Sequence, residues 1–351
     1  MKGLPELVPV LEAHRFDEAR LADYLDQHDL LDGALTVRQF QGGQSNPTYL
    51  LETGERRYVL RKKPPGKVLP SAHQVDREFK VMKALGEHSD VPVPTMRVLC
   101  QDDEVLGTSF YVMDYVSGRV FSHPLLEDLP KAERTPTYHT MIDTMAKLHS
   151  VDHVAAGLED YGRPQGYVTR QLKRWSSQYE ASKTDELPAM DNLIAWLREH
   201  LPEHDEAAIA HGDFRLGNLL LSPESPEVVA VLDWELSTIG HPLADLAYCC
   251  MPYHMPQGVQ GVRGIKGLDL SEYGIPEEQV VLDRYCQGTG RDGIEDWPVF
   301  LAFSLFRSAA ILQGVYARAL QGNASNRDAR EVGKNAGLVA QCGWDIARAY
   351  K

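Results

Sequence analysis

Histidine, glycine and aspartate stand together at His211-Gly212-Asp213, and Asn218 follows the aspartate by five residues. A second aspartate, Asp233, comes twenty residues after the first, at the end of the apolar run Val229-Ala230-Val231-Leu232. Moving a phosphoryl group from ATP to a hydroxyl needs a carboxylate to take the hydroxyl proton, and hard oxygen ligands to hold Mg²⁺ against the phosphates. Asp213 suits the first task, and Asn218 and Asp233 suit the second.

Elements must hold these residues in place. Residues 17 to 28 carry Leu21 and Leu25 at helical spacing and end at Asp32-Gly33, which predicts a short leading helix. Residues 35 to 62 read as antiparallel strands, with Gly42-Gly43 in one turn and Thr53-Gly54-Glu55 in the next. A helix is predicted over 75 to 85, with Phe79, Met82 and Leu85 on one face, and strands over 96 to 99 and 110 to 116. After Ser117-Gly118 the periodicity becomes helical over 137 to 152, 167 to 180, 191 to 200, 243 to 251 and 298 to 320. Short strand-like runs interrupt it at 219 to 221 and 228 to 232. A small sheet lobe over residues 1 to 115, followed by a larger helical lobe over 116 to 351, is the expected organisation.

The 351 residues are 43% hydrophobic and 25% charged, enough for about two lobes with a buried core and too apolar for a disordered chain. A formal net charge of −14 argues against a nucleic-acid binder, whose affinity comes from clustered Lys and Arg. The five cysteines show no CxxC spacing, which points away from a disulfide framework or zinc site and towards a reducing compartment. Acidic residues interrupt the first twenty positions, unlike a signal peptide, and the run from Leu243 to Met251 covers about half a membrane span and contains Asp245. A cytoplasmic chain with no membrane or nucleic-acid partner is expected.

The string HGDFRLGN with LDWE resembles the aminoglycoside phosphotransferase and choline kinase superfamily, small-molecule relatives of protein kinases. The protein-kinase pattern H-R-D-L-x-x-x-N has the same Asp-to-Asn spacing. The resemblance runs from about Leu35 to Ala319 and implies an α+β, protein-kinase-like two-lobe fold with ATP and Mg²⁺ as cofactors. It makes His211 a support of the loop, Asp213 the catalytic base, and Asn218 and Asp233 the Mg²⁺ ligands. Arg215 stands where protein kinases usually have lysine and would neutralise the γ-phosphate. Gly42, Gly43, Ser45 and Asn46 lie in a turn whose bare backbone suits phosphate. Tyr58-Val59-Leu60-Arg61 fits the V-A-I-K frame, with Arg61 as the phosphate cation and Glu78 as its ion-pair partner. Lys62 faces the other way by period-2 alternation, although a bulge would exchange the two. Met113, Asp114, Tyr115 and Val116 resemble the adenine-binding link between lobes, and Asp245 resembles the buried brace of the catalytic loop.

Charge is distributed unevenly over the helical lobe. Residues 176 to 210 carry a net −6, whereas YVTRQLKRW has Arg170, Lys173 and Arg174 without an acid, and 297 to 351 carries a net +4. A polycationic aminoglycoside calls for carboxylates and a quaternary ammonium for an aromatic cage. Arg170, Arg174 and Arg307, with Trp175 and Trp234 nearby, fit an anionic acceptor better. The strings GYVTRQLKRWSSQYEAS, WELSTIGHPLADLAYCC and FRSAAILQGVYARALQGNAS are similar to the subfamily whose animal members join a kinase domain to an acyl-CoA dehydrogenase. That likeness implies phosphorylation of a 4-hydroxyacyl-CoA and, since no dehydrogenase segment follows, a separate acyl-CoA dehydrogenase-like partner enzyme. The alternatives are an aminoglycoside or other polyol kinase and, from another class, a nucleotide-binding pseudokinase.

Overall fold

The computed structural model describes residues 6–41, 46–64, 74–202, 204–322 and 328–350. The chain folds as two compact units: Met1–Phe121 with Val154–Tyr161 and Asn218–Ser237, and Ser122–His153 with Gly162–Gly217 and Thr238–Lys351. Each unit is therefore discontinuous in sequence, whereas the expected organisation was a single cut after residue 115. The chain crosses from the second unit to the first between Gly217 and Asn218, inside the HGD…N string.

The first unit is built on a six-stranded sheet in the order β1-β2-β3-β4-β6-β5. Its strands are β1 (Leu7–Val8), β2 (Leu35–Phe40), β3 (Thr48–Thr53), β4 (Arg56–Lys62), β5 (Met96–Cys100) and β6 (Phe110–Asp114). All its pairings are antiparallel. The strand expected over 110 to 116 stops at Asp114. The β3–β4 turn passes through Gly54 at φ 55°, where an added Cβ would strike the Asp32 carbonyl.

Helix α1 (Glu18–Asp26) starts at Asp17, whose carboxylate accepts the Ala19 and Arg20 N–H groups at 3.0 and 3.1 Å. Its Leu21 and Leu25 pack with Leu51, Tyr58, Leu60 and Val112 in one apolar cluster. Period-2 alternation along β4 sends Tyr58 and Leu60 into that cluster and leaves Val59 and Arg61 to the opposite face. Helix α2 (Val75–His88) and the short α3 (Asp103–Leu106) complete this part. The hairpin of β8 (Leu219–Leu221) and β9 (Val228–Val231) belongs to the same unit.

The second unit is mainly helical. It contains α4 (Lys131–His149), α5 (Tyr167–Ser182), α6 (Pro188–Glu199), α7 (Pro242–Cys250), α8 (Leu270–Tyr273), α9 (Glu278–Thr289), α10 (Trp297–Leu320), α11 (Ala329–Gly333) and α12 (Ala336–Ala349). Strand β7 (Ala208–Ala210) pairs antiparallel with β10 (Thr238–Gly240). The most apolar long segment is α10, not the run at 243 to 251: its 24 residues are long and apolar enough to cross a membrane. Most of it is buried instead, packed against α5, α7, α11 and α12 as the core helix of this unit.

Candidate active site

In the first unit, β4 and α2 bring Arg61 and Glu78 together. Arg61 Nε lies 3.0 Å from Glu78 Oε2, and Arg61 Nη2 donates to Asp233 Oδ1 at 2.7 Å with Glu235 Oε2 at 3.5 Å. Glu78 is 1% exposed and also accepts hydrogen bonds from the Tyr111 hydroxyl and the Asn46 amide, each at 3.0 Å. Burial pushes the Glu78 carboxyl up to about 7, against the opposing pull of the Arg61 charge. The neighbouring carboxylates outweigh burial at Arg61 and hold its guanidinium above its ordinary value. Lys62 points into the apolar cluster on the other face, where its ammonium donates to the Leu106 carbonyl at 2.9 Å and burial pushes its pKa down. Arg61 is therefore the cation that shares a face with Glu78.

The β8–β9 hairpin assembles the expected metal ligands. The Leu232 N–H donates to the Asn218 carbonyl at 2.8 Å, so the two residues that flank the hairpin ends, Asn218 and Asp233, are neighbours. Asp233 sits in the left-handed region at φ 66°, an uncommon conformation for a side-chain-bearing residue and one that concentrates at functional sites. An amide oxygen and a carboxylate are hard donors. Mg²⁺ is commonly held by one or two such groups plus substrate phosphates, so this pair fits the ion.

The packing fixes the partners of three expected features in this unit. Asn46 is fully buried and donates its amide N–H to Glu78, so it anchors the ion pair. Trp234 is 1% exposed, with its indole N–H donated to the Val231 carbonyl at 2.9 Å, so it cannot contact an acceptor. In the segment expected to bind adenine, the Asp114 and Tyr115 N–H groups donate to the Thr95 and Arg57 carbonyls at 2.9 and 3.2 Å. The Asp114 carboxylate forks onto Arg97 at 2.7 and 2.6 Å, and Met113 is 7% exposed within β6. Val116 is left as the backbone donor of that stretch. Gly42, Gly43 and Ser45 lie outside the described residues.

In the second unit, α7 holds the HGD loop residue by residue. Asp245 accepts the N–H of His211 at 2.7 Å and of Gly212 at 2.9 Å, and one turn later the Tyr248 hydroxyl donates to Asp213. Gly212 adopts φ 82°, a conformation that a side chain would strain, and Arg307 donates to its carbonyl at 2.9 Å. Burial alone would raise the Asp245 carboxyl. Its hydrogen bond and charge interaction with His149, together with the His211 partners, hold it below its ordinary value. His149 is fixed in turn by the Tyr285 hydroxyl at 2.8 Å.

Asp213 is the carboxylate this machinery presents. Arg215 Nε lies 3.3 Å from both its oxygens, and a Cβ at Gly217 would collide with the Arg215 guanidinium. Burial and the Arg215 charge push Arg263 down, while Tyr248 and Asp213 oppose them. Arg307 is 8% exposed, lies over the rings of Trp175 and Tyr248, and supports the loop from beneath. Trp175 also has the Arg174 guanidinium 5.4 Å from its ring centroid, so the cations against this ring are the protein's own. Arg170 donates to the Arg163 carbonyl at 2.6 Å. Tyr248, Arg263, Tyr111 and Glu235 escaped the sequence reading; only Tyr248, one helical turn after Asp245, carried a signal in its spacing.

Residues 36–290 match the Phosphotransferase enzyme family. The chain is 43% identical over 349 residues to acyl-CoA dehydrogenase family member 10 of Mus musculus, covering 98% of this chain and 32% of that protein. It spans less than half the length of the curated relatives it matches. A solved Ralstonia eutropha protein, provisionally named an aminoglycoside phosphotransferase, is 46% identical, with 96% of this chain and 100% of that chain covered at a TM-score of 0.88. Choline kinase from Cryptosporidium parvum shares the fold at 13% identity and a TM-score of 0.65, with 93% and 95% covered. The chain belongs to the Phosphotransferase enzyme family, with the protein-kinase-like α+β fold of the aminoglycoside phosphotransferases and choline kinases, and is an enzyme that transfers phosphate to small-molecule hydroxyls.

Proposed function

We propose that the chain transfers the γ-phosphate of ATP to the hydroxyl of a 4-hydroxyacyl-CoA. The observation that carries the choice of acceptor is the charge beside Asp213: Arg215 bonded to its carboxylate, Arg307 bonded to the preceding carbonyl, and Arg263 within the field of Arg215 and Asp213. Arginine suits phosphate and carboxylate groups and opposes a polycation. The likeness to a protein named an acyl-CoA dehydrogenase family member supports a CoA thioester over other anions.

In this reading the acceptor oxygen attacks the γ-phosphorus, the bond to the ADP oxygen breaks, and Asp213 receives the hydroxyl proton. Arg61, fixed by Glu78, orients the α- and β-phosphates, and Val116 N–H faces adenine. Asn218 and Asp233 would hold Mg²⁺, which supplies charge neutralisation to the phosphate oxygens when bound. The product carries a phosphate leaving group on its acyl chain, which an acyl-CoA dehydrogenase-type partner enzyme would consume by elimination.

ADP release measured with 4-hydroxyacyl-CoA, kanamycin and choline, each in wild type and Asp213→Ala, tests this. Turnover of the thioester that disappears in Asp213→Ala is the expected result. Release with kanamycin or choline alone would overturn the acceptor, and release untouched by Asp213→Ala would overturn the mechanism.

A further inference from the structure

The second unit contains a cavity of about 480 Å³, within the ~300–1,000 Å³ range of small-molecule sites. Its walls come from separate elements: Met141 on α4, Met251 just after α7, Ile311 on α10, Val339 on α12, and Val262 on the connection between α7 and α8. Two further wall residues, Tyr248 and Arg215, both bond the Asp213 carboxylate. The cavity therefore begins one side chain away from the catalytic base.

The chemistry of the lining is one-sided. No Asp, Glu or Lys stands among the described residues that line it. Its charged residues are Arg215, bonded to Asp213, and Arg263, which donates to the Ser122 carbonyl at 2.9 Å; the Tyr138 hydroxyl donates to the Pro124 carbonyl at 2.8 Å, and the Ser308 hydroxyl meets Met251 Sδ at 3.3 Å. Along the walls formed by Met141, Met251, Ile311, Leu312, Val332 and Val339 a sugar would lose its water and gain no hydrogen bonds, the two arginines would repel a polyamine, and an alkyl chain has nothing to lose. Three methionines, Met141, Met251 and Met255, add a lining that adapts to flexible chains.

We propose that this cavity is the subsite for the distal tail of the acyl acceptor, the carbons beyond the hydroxyl, with the Tyr248 ring as its near wall. The proposal rests on the acyl-CoA reading above and deepens it: the cavity makes the enzyme selective for chains that extend past the phosphorylated carbon. Each methylene buried in such a site adds about four-fold to kcat/KM until the space is filled. Ile311 is the determinant of length, because it lies on the core helix α10 and lines the cavity.

The test compares 4-hydroxypentanoyl-CoA, with one carbon past the hydroxyl, and 4-hydroxydecanoyl-CoA, with six. Wild type should prefer the ten-carbon acceptor by kcat/KM. Ile311→Trp should cut the ten-carbon value by about ten-fold or more and leave the five-carbon value within about two-fold. Ile311→Ala, which enlarges the space, should move the preference to longer chains and serves as the check if the tryptophan variant fails to fold. Equal losses with both substrates, or a wild type indifferent to length, would overturn the subsite. Binding of dansyl-undecanoate, read by fluorescence, separates this from the acceptor assignment. A probe bound by wild type and lost in Ile311→Trp, with no thioester turned over at any length, keeps the cavity as an alkyl site and overturns the CoA reading. Turnover of thioesters with no probe binding and no length preference does the reverse.

Discussion

Arg61 donates to Asp233 at 2.7 Å across 172 residues of chain, and the same guanidinium lies 3.0 Å from Glu78. A planar fork can meet both carboxylates at once, which a single ammonium cannot. Arg61→Lys should therefore raise the KM for ATP about ten-fold and Arg61→Ala about a hundred-fold, with the acceptor KM unchanged within about two-fold. Initial rates with each substrate varied in turn check this. Parallel increases in both KM values would mean that Arg61 acts through the fold and not through the nucleotide.

The buried Glu78 makes stability depend on pH in a defined direction. Its folded-state pKa, about 7, lies above the ordinary carboxylate value, so the folded chain holds a proton that the unfolded chain has already released. The stability contributed by this group is complete below the ordinary carboxylate range and is lost as the pH rises towards and through about 7. Glu78→Gln removes the titration. The melting temperature of the glutamine variant should gain on wild type between pH 5 and pH 8, measured at constant ionic strength without Mg²⁺ or nucleotide. A difference that stays flat across that range would show that Glu78 is ionised throughout.

The Arg61–Glu78 pair could be read from sequence because strand alternation decides which of two adjacent cations faces α2, and a helix register decides which carboxylate faces back. The β8–β9 hairpin was equally legible, since two short β-branched and leucine runs flank a turn between Asn218 and Asp233. Trp234 and Asn46 show that residue type does not reveal orientation. A buried indole needs one acceptor and found it three residues away, and a buried amide was drawn to the Glu78 carboxylate. Strands β7 and β10 are three residues each, too short for alternation to register. The cavity beside Tyr248 is assembled from elements spread over some two hundred residues, and no local pattern announces it.

Asp245 is a positioning residue whose removal should separate stability from substrate binding. Its carboxylate accepts two successive backbone N–H groups of the HGD loop and faces His149, all in a buried setting. Asp245→Asn keeps the shape but leaves the asparagine amide facing donors, which costs about 1.5–3 kcal/mol for charge-assisted bonds of this kind. Thermal melts should report that loss, and kcat should fall with both KM values nearly constant, because the loop that carries Asp213 loses its anchor. A variant with wild-type kcat would show that Gly212, Arg307 and Tyr248 suffice to hold the loop.

Asp213→Asn offers the opposite separation. The amide oxygen of asparagine can still accept from the Tyr248 hydroxyl and from Arg215 Nε, so the packing around residue 213 survives the substitution. Under the proposed mechanism, what is lost is the capacity to take a proton from the acceptor, a contribution of about 10²–10⁴ to the rate for general-base catalysis. The expected outcome is a kcat lower by about a thousand-fold, KM values within a few-fold of wild type, and a melting temperature within about two degrees. Steady-state ADP release and calorimetry on the same preparation measure all three. If kcat and the melting temperature fell together, Asp213 would be a structural member of the loop, and the proton would have to leave by another route.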